Sequence, residues 1–93
     1  MSAYVIVHGT VKDADKMQEY GAAAGPTVAA HGGEAVVRGP ATVLSGTSDH
    51  KIAVVLKFPD AGAAKAWYAS PEYQAIIPLR EQALDSVFVV VGE

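Results

Sequence analysis

The sequence predicts an α+β domain with the order β-α-β-β-α-β, and three observations predict it. Residues 3–11, 51–58 and 86–92 are runs rich in β-branched residues, with a shorter β-prone run at 34–38. Two stretches of helical periodicity lie between them, each preceded by an aspartate suited to capping, Asp13 and Asp60. The connections are short. With right-handed crossovers, that order selects the ferredoxin-like split βαβ arrangement, a four-stranded antiparallel sheet with its helices on one face and its first and third strands central. Ninety-three residues make a single domain over 1–93, near the size at which a second subunit helps stability.

The first strand carries Ala3, Val5, Val7 and Val11 on one side and Tyr4, Ile6, His8 and Thr10 on the other, so both faces look covered. Asp13 caps a helix whose face is Met17, Tyr20, Ala24, Val28 and His31. Pro26 is expected to bend or break it, with Gly25 ahead leaving room for the proline ring. Gly32-Gly33 ends the helix. Residues 34–38 read as an edge strand that residues 42–44 extend after a bulge, with Glu34 and Arg38 on the same side. In the third strand Ile52, Val54, Leu56 and Phe58 share a face. Asp60 caps the next helix, and Ser70-Pro71-Glu72 starts another. In the last strand Val87, Val89 and Val91 oppose Phe88 and Val90.

If helices cover one face of this sheet, the other still needs a cover. A second copy of the chain, docked through the sheet face, is the expected one. Apolar residues make up 51% of the chain and charged residues 18%, which agrees with a surface that meets another subunit. A net charge of −3 with seven scattered lysines and arginines argues against nucleic acid as a partner. No apolar run approaches the ~18 residues of a membrane span, and the expected setting is the cytoplasm. The absence of cysteine removes thiolate chemistry and cysteine-based zinc sites, and the three histidines lack a ligand spacing. No metal and no cofactor are expected.

On the second helical stretch Tyr73, Ile76, Ile77, Arg80 and Leu84 fall on one face, placing Arg80 in an apolar stripe. A guanidinium there needs a carboxylate, backbone carbonyls or a bound anion. Tyr68 and Tyr73 are candidates to line the same pocket, against the reading that they are core. His8 is the one candidate base, against the reading that it bonds a neighbouring side chain. His31 suits the end of its helix, His50 lies in a loop, and Ser70 is explained as a cap.

The combination of Tyr20, Gly32-Gly33, Phe58-Pro59, Ala64, Trp67-Tyr68, Ser70-Pro71-Glu72-Tyr73 and Arg80 resembles the bacterial domain of unknown function family thirteen-thirty, in the dimeric α/β-barrel superfamily. The resemblance covers nearly the whole chain and implies a ferredoxin-like monomer that dimerises through its sheet. Ser45-Gly46 stands where the family pattern has Glu-Gly, Lys51 where an arginine is common, and Pro78 interrupts the last helix. The family brings no settled activity. Two functions of different class therefore follow from the sequence. One is binding or transformation of a small anionic or carbonyl-bearing molecule in a helix–sheet cleft beside Arg80, Tyr68, Tyr73 and His8. The other is a non-catalytic homodimeric module, and whether the chain is an enzyme is left open.

Overall fold

Alternation along the strands decides which face of the sheet is covered. The computed structural model describes residues 2–93 and runs β1 (Ala3–Val11), α1 (Ala14–Ala30), β2 (Glu34–Pro40), β3 (Ile52–Phe58), α2 (Ala61–Ala69), α3 (Pro71–Gln74), α4 (Ile77–Ala83) and β4 (Leu84–Gly92). The strands form one antiparallel sheet in the order β2-β3-β1-β4, with β1 and β3 central. Val5 lies opposite Leu56 and Val90, and Val7 opposite Val54 and Phe88. With Phe58 and Leu84 these residues floor a core that Tyr20, Val28, Trp67 and Tyr73 close from the helices. On the opposite face Ile6 pairs with Val55 and Val89, and His8 with Ala53 and Val87. That face is open: Val37, Val87, Val89 and Val91 remain about half exposed or more.

The caps fall where the sequence places them. Asp13 accepts from the Lys16 amide at 3.1 Å, Asp60 from the Ala63 amide at 2.7 Å, and Ser70 Oγ from the Tyr73 amide at 3.3 Å. Each satisfies an amide that the helix itself leaves without a partner.

Elsewhere the structure departs from expectation. α1 runs without a break through Pro26. The proline removes one bond, to the Ala22 carbonyl, but on an exposed stretch of the helix, and Gly25 presents no Cβ to the ring. The bulge lies inside β2, at Val36 between Ala35 and Val37, and residues 42–44 form no strand. As a result Glu34 pairs across from Lys57 while Arg38 pairs across from Val54, so the two residues face opposite sides of the sheet. The second helical stretch divides into α3 and α4, because Pro78 has no amide to offer the Gln74 carbonyl. Leu84 leaves the helix altogether and begins β4 with an extended backbone.

Two glycines should respond in opposite directions. A Cβ at Gly33 would fall 2.6 Å from Phe58 Cε1 and 2.8 Å from Val28 Cγ1, whereas one at Gly21, mid-helix, would meet nothing within 4 Å. Gly33→Ala is expected to lower stability by about 1–3 kcal/mol. Gly21→Ala is expected to raise it by about 0.5–1 kcal/mol. Urea denaturation of the two variants checks both signs.

Candidate functional site

Tyr73 and Arg80, seven residues apart and so on one helical face, meet across the joint between α3 and α4. Arg80 is only 7% exposed. Its Nη1 donates to the hydroxyl oxygens of Tyr68 and Tyr73, each at 3.0 Å, and its Nη2 donates to Glu81 Oε1 at 3.0 Å. Its Cζ stands 4.8 Å from the centre of the Phe88 ring, with the Tyr68 and Tyr73 rings at 5.6 and 5.9 Å. Aromatic faces and phenol oxygens therefore hold most of this charge. Glu81 is well exposed, and a carboxylate in water adds little. Of the five N–H bonds of the guanidinium, three are used; the Nε atom is buried and has no acceptor among the described residues.

The network continues inward, since the Tyr73 hydroxyl lies 2.7 Å from that of Tyr20. Burial, reinforced by the neighbouring Tyr73 phenol, pushes the Tyr20 phenol far above its ordinary range. Burial also raises Tyr73, against the opposing pull of its hydrogen bonds to Tyr20 and Arg80. For Arg80, burial works against the charge, but the bonds to Tyr73, Tyr68 and Glu81 outweigh it and the guanidinium is held more firmly protonated than usual. Tyr20 and Tyr73 thus stay neutral, and neither serves as a base near neutrality. A guanidinium only donates, so both Tyr68 and Tyr73 accept from it. Tyr73 and Tyr20 satisfy one another. The Tyr68 hydroxyl, whose one partner among the described residues is Arg80, keeps its proton undirected.

Tyr68 and Arg80 line a cavity of about 500 Å³ between α2 and the edge strand β4, with Trp67, Phe88 and Val90 as apolar walls and Lys65 at the rim. Its charged lining residues, Lys65 and Arg80, are both cationic. Trp67 is core: its ring lies 4.4 Å from Tyr73 and 5.4 Å from Phe58 between centres. Its indole N–H donates to Thr27 Oγ1 at 3.0 Å, and that hydroxyl donates to the Ala24 carbonyl at 2.6 Å.

The structure thus brings Arg80, Tyr68 and Tyr73 together and leaves His8 out. His8 belongs to the open face, opposite Ala53 and Val87, while Val5, one of the lining residues of the cavity, points the other way. Strand alternation accounts for the correction: even-numbered residues of β1 face away from the helices, and the sheet separates His8 from Arg80. His31 caps α1, its Nδ1 donating to the Thr27 carbonyl at 3.0 Å, and His50 Nδ1 lies 3.1 Å from Thr10 Oγ1. Among the described residues no three potential ligands converge on a metal position. Sequence reasoning missed Phe88 and Glu81 as contacts of Arg80, Thr27 as the partner of Trp67, and Tyr20 as the inner end of the network. Tyr20 and Phe88 carried a signal in their core-facing positions. Glu81 carried none, because adjacent side chains on a helix do not normally face each other.

The family described as "Domain of unknown function (DUF1330)" matches residues 2–93. No curated protein matches the chain. Among solved structures, a protein of unknown function from Rhodopseudomonas palustris is 18% identical, with a TM-score of 0.79 over 99% of this chain and 82% of that one. A dimeric ferredoxin-like protein of unknown function from Jannaschia sp. CCS1 is 16% identical, with a TM-score of 0.75 over the whole of both chains. SnoaB, a cofactor-independent oxygenase from Streptomyces nogalater, is 14% identical, with a TM-score of 0.72 over 99% of this chain and 92% of that one. At these identities the likeness is one of fold, and the neighbours show it to be ferredoxin-like.

The tyrosine pair sets an alkaline limit. Below about pH 10, the ordinary phenol value, both phenols are protonated whether the chain is folded or not, and their titration adds no pH dependence to stability. Above it the unfolded chain loses protons that the folded chain keeps, so stability falls as pH rises. Tyr20→Phe is expected to cost about 1–2 kcal/mol at neutral pH and to make the alkaline fall shallower. Urea midpoints measured from pH 8 to 11 check this.

Proposed function

The chain belongs to the DUF1330 family, and from that premise we propose that it binds a small molecule bearing a carbonyl or carboxylate group in the cavity between α2 and β4. The observation that carries the reading is the Tyr68 hydroxyl. It accepts from a buried arginine, has no acceptor of its own among the described residues, and belongs to a residue at the cavity wall. A hydroxyl that accepts from a cation is polarised into a stronger donor, and an oxygen of the ligand is the acceptor it lacks. Lys65 and Arg80 favour negative charge at the same place, while Phe88 and Val90 offer apolar surface to the body of the ligand. The lining contains neither a carboxylate nor an imidazole, and His8 lies beyond the sheet. This favours binding and polarisation of the ligand over abstraction of a proton from it.

A second reading, compatible with the first, concerns assembly. The open face presents Val37, Val55, Val87, Val89 and Val91 together, and similar solved structures are dimeric. An apolar sheet face of this extent calls for a cover, and a second copy docked face to face is the one we propose. His8 would then be an interface residue, with no part in the cavity.

Thermal melts with a panel of short carboxylates and ketones test the ligand. Wild-type protein is expected to gain several degrees with at least one compound. Tyr68→Phe should lower the melting point of the free protein modestly, because Arg80 loses one acceptor, and should lose most of the ligand-induced gain. Arg80→Ala, by contrast, should lower the stability of the free protein by about 2–4 kcal/mol, since its partners are internal. A panel without effect on the wild type would remove the reading. For assembly, native mass spectrometry should show a dimer for the wild type and a folded monomer for Val89→Asp.

A further inference from the structure

A second cavity, of about 420 Å³, lies on the other side of Trp67 and Phe88, between α1 and the sheet. Its walls are apolar, with Val7, Met17, Val54 and Leu56 among them, and its one charged lining residue is Arg38. Arg38 also lines an outer depression of about 530 Å³ beside Met17, Gly21 and Gln18, where again it is the one charged residue. Its place there is a product of the bulge. Were Val36 paired in regular alternation instead of bulged, Arg38 would share the side of Glu34 and face away from α1. Arg38 is exposed and makes no ion pair among the described residues.

The space opens to solvent along α1, where Gly21 and Gly25 are exposed, while its floor is the core, with Val7, Leu56 and Leu84 nearly fully buried. Gly21, Gly25 and Gly39 keep its edge clear, since a Cβ built on any of them meets nothing within 4 Å. The volume falls within the range of about 300–1,000 Å³ of small-molecule sites. An apolar chamber tolerates no second charge, because nothing inside would offset its desolvation. A guanidinium at the mouth supplies paired donors matched to a carboxylate.

We propose that this chamber is a binding site for a small amphipathic carboxylate, its apolar body between α1 and the sheet and its carboxylate on Arg38. The site is separate from the one at Arg80 and does not depend on it.

Titration calorimetry with octanoate, octanol and octylamine tests the assignment. Wild-type protein should take up one equivalent of octanoate per chain and prefer it at least tenfold over octanol, with octylamine weaker still. Arg38→Gln, at an exposed position that should not affect folding, should erase the preference for octanoate over octanol. Gly21→Leu fills the chamber and should abolish octanoate binding while the melting point stays at or above that of the wild type. Octanoate binding unchanged in both variants, equal binding of octylamine and octanoate, or no uptake of octanoate by wild-type protein at millimolar concentration would each overturn the proposal.

Discussion

The positive charge of Arg80 inside a small domain is the constraint around which the helical layer is arranged. Its burial is tolerable because two phenol oxygens and the face of Phe88 receive it, and these arrive from three elements: Tyr68 from α2, Tyr73 from α3 and Phe88 from β4. None of the three carries a formal charge. The usual penalty of a buried ion pair, in which two ions are desolvated for one attraction, is therefore largely avoided. Tyr73 and Arg80, seven residues apart and so on one helical face, bond directly across the joint between α3 and α4.

The same network divides the interior. Trp67 and Phe88 form a partition with a cavity on each side, one ending at Arg80 and the other opening past Arg38. Thr27 pins the indole from the α1 side, and the guanidinium lies over Phe88 from the other. The partition is thus fixed by polar contacts at both ends while presenting apolar surface to both spaces. Each cavity has aromatic or aliphatic walls and cationic polar ends, so selection between ligands would come from shape and from the spacing of charge to apolar body.

Much of this was legible in the sequence. Strand order, the central place of β1 and β3, the caps at Asp13, Asp60 and Ser70, and the inward direction of Arg80 all follow from local chemistry and periodicity. What escaped were features set by a single residue of phase or by the distance between layers. Val36 shifts β2 by one position and reverses the side of Arg38. Leu84 matches the helical period yet starts a strand. His8 was assigned to the correct side of β1, but its proximity to Arg80 required the sheet to be transparent. The pocket beside Arg80 and Tyr68 was expected, but the second cavity was invisible, because neither composition nor spacing reports how far α1 stands from the strands beneath it.

The bulge at Val36 makes the side on which one charge lies depend on strand register and not on residue type. Deleting Val36 would close the bulge and leave Arg38 opposite Val54, whereas straightening the bulge with every residue kept would slide Arg38 by one position, opposite Ala53 on the valine-rich face of the sheet. A slip of one residue thus converts a helix-side cation into a charge on the surface best suited to meet another copy. Substitutions that straighten the bulge are for this reason more consequential than loss of the bulged residue itself, even though β2 is an exposed edge strand of the kind where variation is ordinarily absorbed.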